Sequence, residues 1–318
     1  MPRFILHEGS CATVIASKRM ASFSHAATTM ACLVSASAQP VIPGLDGTMA
    51  AFTHTGNMNF DQVPGSLELT RLEVRALFPQ SVLPGNGWTI QPVFDFEASI
   101  LQFKQVRTSV FADPQTLHSF NVYPSVIDIG ALALSIHDDS PWIYGAWADA
   151  HLATDFRHAS YSDLSYQFAG GTGYRFNDRF TLGIGGALTN PDGQMKFHPG
   201  IGLEWIVNEQ FQVGGCGPAW FVTYHPDVDW QLSLRGDSAD EFWNISDNRG
   251  RPLSIDLSSY QIGIFASRRL TGHFWLQAGA GVTIANEFQL NDSNSDKLVR
   301  QGLDSGLFGQ ISLTIGLW

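Results

Sequence analysis

The chain has few charges, few cysteines and no long apolar run. Charged residues make up 15% of its 318 residues and the mean hydropathy is −0.01, whereas an ordinary soluble domain is about 25% charged. No segment after residue 38 has the ~20 apolar residues that a transmembrane helix needs. These absences disfavour an ordinary cytosolic protein and exclude a helical membrane protein.

Cysteine is scarce, with three residues in the whole sequence. Two of them, Cys11 and Cys32, fall in a signal peptide predicted over residues 1–38 from its basic residues and its A-x-A cleavage motif. The mature chain would begin near Gln39 and keep Cys216 alone, so we expect no internal disulfide. Stability must then come from burial or from a membrane.

Positive charge is also scarce. The formal net charge is −11, and the sequence contains no cluster of lysines or arginines. Nucleic-acid binding needs a basic footprint. We therefore expect no nucleic-acid partner.

Apolar residues alternate with small or polar residues along much of the sequence. The even positions from Phe274 to Ile284 are apolar, while most odd positions there are small or polar. The same alternation recurs from Phe180, from Phe197 and over the last strand. Segments of about ten alternating residues are the signature of a closed transmembrane β-barrel, whose outer face contacts lipid.

The lengths of the predicted turns and the positions of the aromatic residues also favour a β-barrel. Short turns are predicted at 177–178, 208–209 and 271–272, and long polar loops at 104–117, 224–258 and 288–305. Aromatic residues gather beside the short turns, as expected of an interfacial girdle; they are Trp88, Trp142, Tyr174, Phe176, Phe180, Trp205, Phe211, Phe274, Trp275 and Trp318.

Eleven strands are predicted from the pattern, at about 67–78, 88–103, 118–137, 141–157, 163–176, 180–190, 197–207, 211–225, 258–269, 273–288 and 305–318. Bacterial barrels normally have an even number of strands. A first strand near residues 50–60 would make twelve, and ten is the alternative. The predicted domains are the signal peptide 1–38, an N-terminal segment 39–66 and an all-β closed antiparallel barrel over 67–318.

The C-terminal stretch 311–318, ISLTIGLW, resembles the final strand of outer-membrane β-barrel proteins of diderm bacteria. The resemblance covers roughly residues 67–318. More narrowly, the sequence is similar to a group of barrels described only as a domain of unknown function. It implies an outer-membrane location, contact with outer-membrane lipid and recognition by the barrel-insertion machinery, but no activity. One departure is that Trp318 is out of phase with Leu313, Ile315 and Leu317.

Charged residues are predicted to line the barrel lumen. Alternation places Arg71, Glu73 and Arg75 of one strand opposite its lipid face, and Asp95 and Glu97 of the next strand likewise. Asp149 and His151 extend the set. Because an arginine at the lipid face would cost about 2–4 kcal/mol near the midplane, an inward position is preferred. Such a set either selects solutes in a pore or forms a salt-bridged plug.

Three aromatic residues of the predicted loop 224–258, Trp230, Phe242 and Trp243, are candidates for an outer-loop binding site. No catalytic residue, metal site or cofactor is predicted. Residues 137–140 (HDDS) suit a polar turn better than a catalytic set, and residues 292–303 lack the glycine and glutamate of a calcium loop. Cys216 is expected to pack as a small residue.

The sequence therefore predicts a passive, porin-like channel or a structural outer-membrane barrel with a charged lumen. Small solutes are its expected cargo if the lumen is open, and the sequence predicts no oligomeric state. One alternative is an outer-membrane lipid hydrolase. Another is a secreted β-sandwich that binds ligands. A closed barrel would exclude the sandwich, and serine and histidine side chains meeting at the outer rim would favour the hydrolase.

Overall fold

The computed structural model describes residues 47–83, 87–106, 118–136, 140–157, 159, 161–190, 195–246, 252–292 and 297–316. Within these ranges no helix is long and apolar enough to cross a membrane. The one helical element of the described residues is a 3-10 turn at Tyr161–Asp163. The strands are β1 Gly47–Asn59, β2 Ser66–Leu77, β3 Ser81–Val82, β4 Trp88–Val106, β5 His118–Val122, β6 Ser125–Ile136, β7 Trp142–Thr154, β8 Leu164–Asn177, β9 Phe180–Thr189, β10 Lys196–Ile206, β11 Phe211–Cys216, β12 Ala219–Tyr224, β13 Trp230–Ser238, β14 Glu241–Ser246, β15 Pro252–Thr271, β16 Phe274–Asp292, β17 Lys297–Leu303 and β18 Gly306–Gly316.

The strands close into one antiparallel barrel. β18 pairs with β1 and β1 pairs with β2, so the last strand lies against the first. Each of the pairs β2 and β3, β5 and β6, β13 and β14, and β17 and β18 forms one wall strand with a short break, because both members pair with the same neighbour. The eighteen segments thus make fourteen wall strands. The predicted closed barrel is confirmed, and the β-sandwich alternative is excluded.

The predicted count of twelve strands is wrong, as is the alternative of ten. Segment 211–225 is a tight hairpin, β11 and β12, in which Gly217 adopts the left-handed conformation with φ of 57°. The predicted loop 224–258 contains β13, β14 and the start of β15, and the predicted loop 288–305 consists mostly of β16 and β17. Most of the predicted loop 104–117 lies outside the described residues.

The predicted first strand near residues 50–60 corresponds to β1. The predicted signal peptide, the cleavage site near Gln39 and Trp318 all lie outside the described residues. The division of the chain into signal peptide, N-terminal segment and barrel therefore stays a prediction.

Alternation gives the wall two chemically different faces. Side chains of a β-strand point to opposite faces in turn, and outward positions carry exposed apolar side chains on widely separated strands, including Ile129, Ile184, Ile201, Ile264 and Leu307. Inward positions carry buried polar or charged side chains. This arrangement matches a wall whose outer face meets hydrocarbon.

One end of the barrel, here called the turn end, has the short connections predicted from the sequence. Asn177 Oδ1 accepts a hydrogen bond from the Arg179 amide at 2.8 Å, and Asn208 Oδ1 accepts one from the Gln210 amide at 2.8 Å. These bonds mimic a backbone turn. The described chain also begins and ends here, at β1 and β18. The opposite end is called the loop end.

Aromatic side chains form a band at the turn end. Trp142 contacts Tyr174, Tyr174 contacts Phe176 and Phe176 contacts Phe180, with ring centroids 4.9, 4.9 and 5.5 Å apart. Trp275 is an exception among the predicted girdle residues: it is buried and lies under the Arg269 guanidinium, 4.9 Å from its ring centroid. Membrane barrels place such a band at the interface with the headgroups.

Candidate functional site: the barrel interior

The side chains that line the barrel interior change in polarity and charge along the barrel axis. Near the turn end it is lined by buried uncharged polar side chains with one carboxylate among them, including Gln91, Thr181, Glu204, Gln212, Gln231, Ser267, Gln277, Ser312 and Thr314. Two pairs among them are hydrogen-bonded, Gln212 to Glu204 at 2.7 Å and Gln277 to Ser267 at 2.9 Å, which offsets the cost of burying those groups. The side-chain polar atoms of Gln231, Ser312 and Thr314 have no such partner among the described residues.

Charged side chains cluster on four neighbouring wall strands, and this cluster is here called the charged strip. It consists of Arg71, Glu73 and Arg75 on β2, Asp95 and Glu97 on β4, Asp128 on β6, and Asp149 and His151 on β7. All seven residues predicted to line the lumen fall in this strip. Register explains the grouping, because Arg75 faces Asp95, Asp95 faces Asp128 and Asp128 faces His151 as direct partners in successive ladders.

Most groups of the charged strip are paired. Arg75 Nε lies 2.9 Å from Asp95 Oδ2, and Arg75 Nη2 lies 3.4 Å from Glu73 Oε1. The Ser99 hydroxyl donates to Glu97 at 2.7 Å. Paired opposite charges and hydrogen bonds are what allow ionised groups to remain in a sheltered interior.

Asp128, Asp149 and His151 form a compact subgroup. His151 Nδ1 lies 2.5 Å from Asp128 Oδ1, and the Trp147 indole donates to Asp149 at 2.8 Å. One ligand atom from each of the three residues lies within 4.8 Å of the others, so these oxygen and nitrogen donors are close enough to hold one divalent ion. In this structure Asp128 and His151 are instead bonded to each other.

Two carboxylates that contact residues of the charged strip, Asp128 and Glu241, were not predicted. Asp128 is the one charged residue in the apolar run 125–136, and its inward phase within β6 was a signal that sequence reasoning could have used. Glu241 was assigned to an outer loop. It reaches Arg71 from across the barrel, and the Arg71 guanidinium also lies 3.6 Å from Glu97 Oε2. A contact between β2 and β14 has no local signal in the sequence.

β14, here called the crossing strand, spans the lumen at the loop end. It stays paired with β15, yet Asn244 also bridges to Thr154 of β7, six wall strands away around the barrel. The Asp155 amide donates to the Asn244 carbonyl at 3.1 Å, and the Ser246 amide donates to Asp155 Oδ2 at 2.9 Å. These bonds hold the crossing strand against the opposite wall.

The crossing strand packs into an apolar core at the loop end. Trp243 and Ile245 of β14 pack with buried residues from both sides of the barrel, including Met58, Phe60, Leu67, Leu69, Leu101, Phe103, Val126, Ile255, Leu257, Phe288 and Leu290. Trp243 has no exposed surface. Apolar packing therefore fills the loop end between the crossing strand and the wall strands from β15 around to β7.

The three aromatic binding candidates do not share an outer loop. Trp230 begins β13 at the turn end, where the Arg268 guanidinium lies 5.3 Å from its ring centroid. Phe242 and Trp243 belong to β14, and Trp243 is in the apolar core. The loop assignment was wrong because the alternation in β13 was overlooked, and the binding role itself stays a prediction.

Cys216 ends β11, is buried and packs against Leu132 and Leu134 from across the lumen. This contact fits the packing role expected from the sequence. Residues 137–139 of the segment considered for catalysis, and residues 293–296 of the segment 292–303 considered for calcium binding, lie outside the described residues.

Comparisons with known proteins give a family but no activity. The model of DUF6268, a domain of unknown function, matches residues 135–317. No curated protein sequence matches significantly. Solved structures that resemble the chain include a deletion mutant of the monoaromatic hydrocarbon channel TodX (9% identity, TM-score 0.46, covering 86% of this chain and 91% of that one) and an outer membrane channel from Pseudomonas putida F1 (9%, 0.41, 87% and 97%). The NanC porin is another (9%, 0.35, 85% and 100%).

Proposed function

The chain belongs to the DUF6268 family, whose function is unknown, and from its geometry we propose that it is an outer-membrane channel that conducts small cations when the crossing strand moves aside. It needs no cofactor and performs no catalysis. In the state described here the channel is closed at the loop end. The charged strip is the observation that carries this proposal.

The charge balance of the interior supports a preference for cations. Around Arg71 and Arg75, the strip and the crossing strand present six carboxylates: Glu73, Asp95, Glu97, Asp128, Asp149 and Glu241. A confined lining with one dominant sign of charge concentrates ions of the opposite sign. Rings or clusters of acidic side chains are the usual means of cation selection in pores.

The closed loop end also supports a channel with an opening step. The crossing strand is held by a few backbone bonds, one ion pair and apolar packing, rather than by full pairing with a second neighbour. Local elements of this kind open at lower free energy than the continuous ladders of the wall. Motion of β14 alone would join the charged strip to the outside.

The test is the reversal potential of single channels of the refolded mature protein in a planar bilayer with a KCl gradient. We expect a potential that shows preference for K⁺ over Cl⁻. Arg75→Ala should raise the K⁺/Cl⁻ permeability ratio roughly fivefold, because a unit charge at ~4 Å in water is worth about 1 kcal/mol. Lys104→Ala, which removes an exposed cation at the loop end, should leave the ratio unchanged.

A folded barrel that never conducts would contradict the channel and favour the salt-bridged plug. Conduction without preference for either ion would contradict the role given to the charged strip. A heat-modifiability gel on each variant separates both outcomes from misfolding.

A further inference from the structure

The barrel wall is incomplete beside one short hairpin. β11 and β12 have six residues each, whereas their neighbours β10 and β13 have eleven and nine. The last pairs that join the hairpin to these neighbours are Gly202 with Cys216 and Trp220 with Gly236. Beyond them, Phe197 and Pro199 of β10 are in no ladder with a described strand on the side away from β9. This opening between β10 and β13 is called the wall gap.

The wall gap lies at the height of the membrane. Six residues of a strand span about 20 Å, and a tilt of about 40° reduces this to roughly 15 Å along the barrel axis. The apolar band of such barrels is about 25 Å tall. The top of the hairpin, at Gly217 and Pro218, therefore ends inside the hydrocarbon region.

The lipid-facing side chains of β10 give independent support for this height. Phe197, beyond the top of the hairpin, and Ile201, level with Gly217, point outward and are each 66% exposed. Exposed apolar side chains at these positions indicate that hydrocarbon still surrounds the wall there. The outer rim of the wall gap is thus apolar.

The edge of β10 that borders the wall gap is polar backbone. The Gly217 amide donates to the Ile201 carbonyl at 3.2 Å, so Ile201 directs its backbone groups toward the hairpin side. Since alternate residues of an antiparallel strand face the same side, Phe197 and Pro199 do so as well. Proline lacks an amide hydrogen and is tolerated where a strand has no partner. Pro199 therefore stands on an edge that the sequence itself leaves unpaired.

Unpaired backbone at membrane depth has to be hydrated. Hydrocarbon offers no hydrogen bonds, and irregular backbone is tolerated in a membrane only where it is buried in protein or lines a water-filled cavity. On this edge the backbone faces an opening in the wall. It follows that water from the lumen reaches the wall gap.

We propose that the wall gap is a lateral doorway through which small amphipathic molecules pass between the hydrocarbon of the bilayer and the polar lumen. A molecule with an apolar part and a polar part matches the apolar outer rim and the hydrated backbone edge. With the loop end closed by Trp243 and its neighbours, the doorway gives such molecules a path that does not require the crossing strand to move. The proposal rests on the barrel being a channel, but its tests need no ion flow.

The first test is amide hydrogen exchange at residue resolution, by NMR, on the protein in lipid nanodiscs. The amides of Phe197 and Ile201 should exchange at least ~100-fold faster than that of Ile184, which lies opposite Ile201 on β9 and faces β8. Exchange at Phe197 and Ile201 as slow as at Ile184 would overturn the doorway.

The second test closes the wall gap. Four strand residues are inserted on each side of Gly217 and Pro218, so that the longer hairpin pairs with β10 and β13. Vesicles are then illuminated with a diazirine-bearing octanol, a probe that partitions into the bilayer. We expect adducts on inward side chains near the gap, such as His198, in the natural chain and at least a tenfold loss of them in the extended variant.

The matched control is the same insertion between β16 and β17, which should leave labelling unchanged. Adducts confined to lipid-facing side chains such as Phe197 in the natural chain would overturn the proposal. Undiminished labelling of His198 in the extended variant would show that the probe enters along the barrel axis, which would also overturn it. A heat-modifiability gel confirms that each variant is folded.

Discussion

Replacing Trp243 by alanine is expected to destabilise the folded barrel by about 3–5 kcal/mol, the usual cost of truncating a fully buried large aromatic side chain. The indole lies in the apolar core where β14 crosses the lumen, and it has no exposed surface. Its loss removes packing between the crossing strand and both sides of the wall. Urea unfolding of the protein in lipid vesicles measures the effect.

Trp243→Phe is the matched control for this prediction. The Trp243 Nε1 donor is buried without a hydrogen-bond partner, so phenylalanine removes an unsatisfied group as well as some volume. An unsatisfied buried donor costs about 1–3 kcal/mol, and we expect this gain to offset much of the lost packing. Equal stability of the alanine and phenylalanine variants would mean that the crossing strand is not docked as described.

Replacing Arg71 by alanine should cost about 3–5 kcal/mol, because it leaves buried carboxylates without their cation. The Arg71 guanidinium contacts Glu241 of the crossing strand and lies 3.6 Å from Glu97 Oε2. Both carboxylates are buried. The same urea titration in vesicles measures the loss.

Two comparisons isolate the charge effect at Arg71. Lys104→Ala breaks a 2.6 Å pair with Glu68 in which the lysine is 44% exposed, and exposed pairs are worth only about 0–1 kcal/mol. The double variant Arg71→Met with Glu241→Leu should recover most of the loss, since replacing a buried ion pair by apolar residues is often neutral. A double variant as unstable as Arg71→Ala would contradict the ion pair across the lumen.

The sequence predicted the parts of the fold that depend on local pattern. Alternation identified most wall strands, and Asn177 and Asn208 identified turns that the structure confirms with side-chain bonds to the backbone. The errors came where a local signal was overlooked. Gly217 and Pro218 split one predicted strand into a hairpin, and the alternation from Trp230 was absorbed into a predicted loop.

The candidate site likewise contains some features that the sequence predicted and others that it could not. Seven residues were predicted to face the lumen because an ionised side chain avoids the lipid face, a rule that needs only the phase of each strand, and the structure places all seven in the charged strip. The pairing of Arg71 with Glu241 and the bridge from Asn244 to Thr154 join residues far apart in the sequence. Such contacts depend on how the closed barrel folds across its own lumen, and no spacing in the sequence encodes them.

Pro199, on the edge of the wall gap, could be interpreted in two ways from the sequence. Pro199 lies within a run of alternating residues, where a proline argues against a central strand. The strand is real, and the proline instead marks the edge that has no partner. Only the lengths of β11 and β12 distinguish these readings.

The most direct test of the account is a reversible lock on the crossing strand. Thr154 and Asn244 are bridge partners across the lumen, so Thr154→Cys with Asn244→Cys, in a Cys216→Ser background, places two cysteines within the range of a disulfide. Single-channel recording is made before and after reduction. We predict no conductance steps in the oxidised protein and cation-selective steps after reduction. Equal conductance in the two states would contradict the claim that β14 closes the channel.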